Sequence, residues 1–355
     1  MYWETSSDKN NEAVSKAMSR NTFEDILKYL HVYDNLTLDE NDKFGKVRLL
    51  WLLLNQRWLR AFPKDSTLSI DEAMAPYYGR HGAKQHIHGK LICFGYKVWC
   101  LYNRLGYLVQ GGLYQGASTG NTHPELGVEG CVVIDLVDKV PLGQCSIYKD
   151  NFFTSVRLLE ELKSRGHYYT TTIKSNRIEK AKAVARGSFR QLGDVPTNPP
   201  TPLTLLASYG LGESSLRRNF YLEELTDTSS GITLIRYHDN NIPIDKARRW
   251  SHKEKKQIQI YQPACIINYN CYLGGVDRLD QNISSYRVNV RMKKWYWQMI
   301  MFPINASVNS AWQLYRLAPK EKEDTLDLLS FTRYIVQTYL AKYSIRVAPG
   351  PSQKL

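Results

Sequence analysis

Apolar positions change their spacing along this chain, and each change marks an element. Phe23, Ile26, Leu27 and Leu30 recur at three- and four-residue intervals and predict an amphipathic helix, with Asn21 and Glu24 as its capping pair. Val47, Leu49, Leu50, Leu52, Leu53 and Leu54 predict a second helix that stops near Phe62-Pro63. From Thr67 onward, β-branched and aromatic residues come in short runs bounded by Gly and Asn. Leu68 to Asp71, Leu91 to Tyr102, Tyr107 to Tyr114 and Cys131 to Leu136 therefore read as strands of one sheet. After Asp150, the positions Val156, Leu158, Leu159 and Leu162 resume helical spacing up to Gly166, and His167 to Ile173 returns to strand character. Strand, helix and strand in succession predict an α/β sheet layer.

Residues Arg177 to Asn240 lack sustained periodicity, and Pro196-Thr197-Asn198-Pro199-Pro200-Thr201-Pro202 is dense in chain breakers, so this part reads as an irregular insertion. A polar, basic stretch follows, with Lys246, Arg248, Arg249, Lys253, Lys255 and Lys256. Beyond Tyr269 the pattern is helical to about Lys342, and Val347 to Leu355 reads as a disordered tail.

The chain has 355 residues, enough for one large or two to three ordinary domains with their own cores. Its formal net charge of +13 favours an anionic partner, nucleic acid above all. The six cysteines include no C-x-x-C pair, which fits buried thiols in a reducing compartment better than a secreted disulfide framework. No run of 18 apolar residues and no signal-peptide pattern occurs, so the expectation is an intracellular protein with no membrane partner.

Three acidic segments stand out. Asp71 closes the first predicted strand, Asp150 sits at a strand-to-helix junction, and Gly274-Gly275-Val276-Asp277-Arg278-Leu279-Asp280-Gln281 places two carboxylates on one face at a helix start. Acids on rigid elements can hold two hard cations about 3.5–4 Å apart beside a phosphodiester. Each segment taken singly is equally read as a cap or a turn.

Their combination is more specific. Leu68-Ser69-Ile70-Asp71-Glu72-Ala73-Met74, Tyr78-Gly79-Arg80, Lys97-Val98-Trp99, Asp150-Asn151-Phe152-Phe153-Thr154-Ser155, Lys174-Ser175-Asn176-Arg177, Tyr269-Asn270, the Gly274 to Gln281 block and Lys293-Lys294-Trp295 together resemble the piggyBac transposase family in order and spacing. That resemblance implies an RNase H-like mixed sheet flanked by helices. It implies a largely helical dimerisation and DNA-binding region formed by the two chain ends, and an insertion subdomain. It also implies Asp71, Asp150 and Asp277 as catalytic metal ligands for two Mg²⁺ (or Mn²⁺) ions, with Asp280 as a further acid beside them. The expected activity is cleavage and transfer of double-stranded DNA, transposon ends and TTAA targets, by a nuclear homodimer. The expected division is 1–65 helical, 66–176 first part of the core, 177–245 insertion, 246–283 second part of the core, 284–345 helical and 346–355 tail. Ser188 to Ser214 departs from the family pattern. No cysteine follows Cys271, so the family's Cys-rich zinc-binding domain is not in this sequence.

Candidate DNA contacts are Arg80, Asn176 and Arg177, together with Arg287, Arg291, Lys293 and Lys294, an acid-free cluster beside Trp295, Tyr296 and Trp297. The alternative for that cluster is a solvated helix face whose aromatics pack inward. His81, His86 and His88 have no fitting fourth ligand for a zinc site. The alternative for the whole chain is a domesticated, catalytically inactive factor that binds DNA or protein.

Overall fold

The computed structural model describes residues 2–4, 6, 11–63, 65–88, 92–141, 143–173, 204–209, 222–226, 232–237, 245–251, 255–262, 264–287, 294–318 and 325–343. Helices α1 (Glu12–Ala17), α2 (Arg20–Tyr29) and α3 (Gly45–Ala61) come first. Ser19, not Asn21, caps α2: its Oγ accepts from the Thr22 amide at 3.1 Å. Ser19 has the extended backbone an N-cap needs, whereas Asn21 already lies inside the helix. Glu24 pairs with Arg20 one turn back, at 2.8 Å.

Strands β1 (Thr67–Pro76), β2 (Gln85–His86), β3 (Phe94–Asn103) and β4 (Leu108–Leu113) form an antiparallel half, with β1 and β4 both paired to β3. Helix α4 (Gly127–Val137) leads to β5 (Ser146–Lys149), which runs parallel to β1. The crossover helix α5 (Val156–Ser164) then delivers β6 (Tyr168–Thr172) parallel to β5, the connection that parallel pairing requires. Strands β7 (Thr204–Tyr209), β8 (Leu222–Thr226) and β9 (Thr233–Tyr237) extend the sheet antiparallel in the order β6-β7-β9-β8, making nine strands. These three lie within the stretch read from sequence as an irregular insertion. Strands β10 (Asp245–Ser251) and β11 (Lys256–Gln262) form a separate antiparallel pair that carries the basic stretch. Four helices follow: α6 (Ala264–Leu273), α7 (Gly275–Tyr286), α8 (Tyr296–Leu317) and α9 (Leu328–Tyr343). None of the described helices is long and apolar enough to cross a membrane.

Cys131 to Leu136, expected as a strand, belongs to α4. Cys131, Val132, Val133, Ile134, Leu136 and Val137 are all buried, so no polar stripe marks a helical period. A short apolar run of this kind does not distinguish helix from strand.

The strand period of two sorts side chains onto the two faces. Leu68 and Ile70 of β1, Trp99 and Leu101 of β3 and Ile147 of β5 join residues of α4 and α5 in one core. Ala73 and Ala75 of β1 and Tyr96, Val98, Cys100 and Tyr102 of β3 join α3, α7 and α8 in the other. Across this second core, Trp51 Nε1 donates to the Met299 carbonyl at 2.9 Å and its ring stacks on Phe302, while Trp58 Nε1 donates to Ser307 Oγ at 2.9 Å. Residues from near both ends of the chain thereby pack on the face where the predicted acids point.

Candidate functional site

Asp71 is paired with Cys100 across β1 and β3, which puts its side chain on the face of Ala73, Cys100 and Tyr102. The parallel β1–β5 register ends on Ile70 and Lys149. The residue that follows on each strand is an acid, Asp71 beside Asp150; Asp71, expected from sequence to close the first strand, lies inside β1, which stays paired with β3 as far as Pro76. Asp150 has an extended backbone and caps the short turn that follows β5, its Oδ1 accepting from the Phe152 amide at 2.9 Å. Its carbonyl accepts from Thr154 Oγ1 at 2.8 Å and from Thr171 Oγ1 at 3.2 Å, which fixes the turn to β6. Asp71 Oδ1 accepts from the Glu72 amide at 2.7 Å.

The third segment arrives on α7. A Cβ at Gly275 would meet the Asn103 carbonyl oxygen at 2.5 Å and Ser69 Oγ at 3.2 Å, so only glycine lets the start of α7 lie this close to β1 and β3. Asp277 then sits exposed in the first turn, and Asp280 half-buried one turn on. Arg278 points elsewhere, with Nη1 donating to the Arg104 carbonyl at 2.7 Å. Both Asp277 and Asp280 line a cavity of about 450 Å³ between β1, α7 and α8.

The electrostatics of the neighbouring groups link the acids. Burial raises the pKa of the Cys100 thiol and the Tyr102 phenol, and the charges of Asp280 and Asp71 add to both shifts. Tyr269 of α6 is pushed up to about 12, first by burial and further by Asp150 and Asp71; its hydroxyl lies 3.3 Å from Thr172 Oγ1 of β6. Asp71 is thus the acid common to both surroundings, shared with Asp150 on the Tyr269 side and with Asp280 on the Tyr102 side. Neither Tyr269 nor Thr172 was singled out from sequence as a site residue. The Tyr269-Asn270 pair was the only trace of them there.

Hard-cation chemistry calls for oxygen donors, and these positions supply only carboxylates. They come from Asp71 within β1, Asp150 just after β5, and Asp277 and Asp280 on α7. The side chains do not complete the grouping: among the described residues no set of three or more His, Cys, Asp and Glu side chains is arranged to hold a metal ion. Asp71 and Asp150 each direct one oxygen at a nearby backbone amide instead.

The basic candidates separate. Arg80 is exposed in the turn after β1, and Arg287 is half-buried at the cavity rim. Lys294 Nζ donates to the Lys28 carbonyl and lies 5.8 Å from the Tyr296 ring, so this lysine ties α2 to the start of α8. Asn176, Arg177, Arg291 and Lys293 lie outside the described residues. The aromatics of this stretch pack inward: Trp297 is buried, and Trp295 sits 4.3 Å from the His81 ring with Phe44 and Tyr96 around it. His86 stacks on Phe94, and His88 is exposed. Lys97, which the sequence marked only as part of a motif, is buried with Nζ 3.7 Å from the Trp99 ring and 4.4 Å from that of Phe152.

The antiparallel strands β1 to β4 continued by the parallel β5 and β6, with helices on both faces, define an RNase H-like α/β core. The Transposase IS4 family model matches residues 1–312, and the chain belongs to this family in its piggyBac type. It is 37% identical over 361 residues to the human PiggyBac transposable element-derived protein 3, covering 99% of this chain and 56% of that one. It is 33% identical to the human PiggyBac transposable element-derived protein 2, covering 99% and 57% respectively. The chain therefore spans about half the length of these curated relatives. Among solved structures, a piggyBac transposase synaptic complex with hairpin DNA shares the fold at a TM-score of 0.68 and 21% identity, over 97% of this chain and 67% of that one.

Proposed function

We propose that this chain is a piggyBac-type DNA transposase core that cleaves and joins double-stranded DNA at transposon ends and TTAA targets. The observation that carries the reading is the adjacency of Asp71 and Asp150 at the end of the β1–β5 pair, with α7 bringing Asp277 and Asp280 to the same face. Asp71, Asp150 and Asp277, with Asp280 beside them, would hold two Mg²⁺ or Mn²⁺ ions. Bound there, the ions would activate the attacking oxygen and stabilise the leaving one. Gly275 sets the depth of the third acid. Thr154 and Thr171 hold the Asp150 turn through its carbonyl. Arg80 and Arg287, with Asn176, Arg177, Arg291, Lys293 and Lys294, are the proposed phosphate contacts. Homodimerisation through the helices at the two chain ends, and a nuclear location, belong to the same reading.

The absence of a three-acid grouping among the described side chains favours a second reading, a DNA-binding factor without catalysis. Nicking of a TTAA-flanked duplex in Mg²⁺ or Mn²⁺ separates the two, alongside Tb³⁺ luminescence as a measure of metal uptake. The transposase reading expects metal-dependent nicking that falls by at least a hundredfold in Asp71→Ala, with metal uptake weakened in parallel. Undiminished cleavage by Asp71→Ala would remove the acid assignment. Salt-sensitive binding with no cleavage in either metal would select the second reading.

A further inference from the structure

The cavity beside Asp277 and Asp280 has walls the cleavage chemistry does not use. Its two sides are helical stripes. On α7 the residues 277, 280, 281 and 284 recur at helical spacing, with the C-cap Arg287 next in line, and on α8 the residues 298, 301, 302 and 305 do the same. Between them, Met74 of β1, Ile283 and Phe302 make an apolar lining. The volume of about 450 Å³ falls within the range of small-molecule sites. Asn305, on the α8 wall, has a buried Nδ2 with no hydrogen-bond partner among the described residues, a donor left waiting for an acceptor. Arg287, at the end of the α7 stripe, puts a guanidinium on the same opening.

We infer that this groove receives one unstacked nucleobase from the DNA strand that passes Asp277 and Asp280; the inference rests on the DNA-processing reading above. The chemistry matches part by part. The apolar lining of Met74, Ile283 and Phe302 accepts the apolar face of a base by dispersion contact. The Asn305 amide satisfies a base carbonyl or ring nitrogen. Arg287 meets the adjoining phosphate. A base turned out of the duplex is held by hydrogen bonds to its edge and contact with its faces, as in enzymes that extrude a nucleotide. A wholly apolar ligand would leave Asn305 unsatisfied.

The test uses the full chain and a TTAA-flanked duplex in which each thymine in turn is replaced by photoreactive 5-iododeoxyuridine, in Ca²⁺ so that the strand stays intact. The inference expects at least one position to crosslink to Met74, Met301 or Phe302, identified by peptide mass spectrometry. Ser284 is exposed on the α7 stripe, so Ser284→Trp fills the mouth without disturbing the core. That variant should retain DNA affinity within about threefold yet lose the wall crosslink at least tenfold, and Asn305→Leu should weaken it. If DNA binds but crosslinks map only to other surfaces, or survive unchanged in Ser284→Trp, the groove is not a base site and the DNA-processing reading stands. If no DNA complex forms, both fall together.

Discussion

Lys149 places an amine where the sheet has room only for hydrocarbon. It is fully buried, and its Nζ has no hydrogen-bond partner among the described residues. Burial holds its pKa well below the ordinary lysine value, with the Asp150 charge pulling the other way. The unfolded chain therefore binds a proton that the folded one refuses, up to the unfolded value of about 10.4, and stability from this residue rises with pH across that window. Lys149→Met should stabilise the fold by about 1–3 kcal/mol at pH 7 and flatten that rise. Urea titrations at pH 7 and pH 9 measure both effects, and an unchanged difference between the two pH values would contradict the account. Nothing in the sequence distinguishes Lys149 from a solvated lysine, since burial is decided by strands far away in the chain. The acids are the opposite case. Asp71, Asp150 and Asp277 stand out in the sequence through their motifs, but the direction of the Asp71 and Asp150 carboxylates is set by local amides that no motif reports.

Elements were legible wherever residue type or spacing left a single reading. Helices α2, α3 and α5 follow from helical spacing, and strands β1, β3, β4 and β6 from short β-branched and aromatic runs bounded by Gly and Asn, even though β3 and β4 are buried along nearly their whole length. Helix α4 was not, because it is covered on nearly every side. Strands β7 to β9 were missed for another reason: breaker-rich flanks obscure short strands that extend an existing sheet edge. The Gly274-Gly275 pair was visible as a motif, and its physical basis is the contact that α7 makes with β3. Gly275→Ala would press a methyl carbon against the Asn103 carbonyl, which itself closes the β3–β4 turn. That substitution should cost about 1–3 kcal/mol and draw α7 off the sheet, carrying Asp277 with it. Amide hydrogen exchange along residues 275–286 reports the shift. Protection equal to wild type would show that the close approach is not what seats the helix.

At the scale of the whole molecule, the chain ends close on each other rather than forming appendages. Trp51 and Trp58 of α3 bond and stack against α8, across more than two hundred residues of intervening sequence. Trp51→Ala should destabilise by about 3–5 kcal/mol and move a single cooperative unfolding transition, since the same core holds the sheet, α3, α7 and α8. A biphasic melt with one phase unmoved would mean that the ends fold as their own unit. The positive surplus of +13 also belongs to this scale. If phosphates are its partners, raising salt from 50 to 200 mM should weaken DNA binding at least tenfold, with a log–log slope of about −0.9 per phosphate neutralised. A slope near zero in a fluorescence-anisotropy titration would assign the charge to solubility instead.

The late arrival of α7 has a consequence for the cell that makes this protein. A ribosome must read past Gly275 before the last carboxylates exist, and past Ala306 before the second core has its lid. A message cut short by a premature stop thus yields a polypeptide holding two acids on a sheet with one greasy side bare, a target for chaperones and proteases. Whatever these carboxylates do, only a polypeptide translated past α7 and α8 can do it.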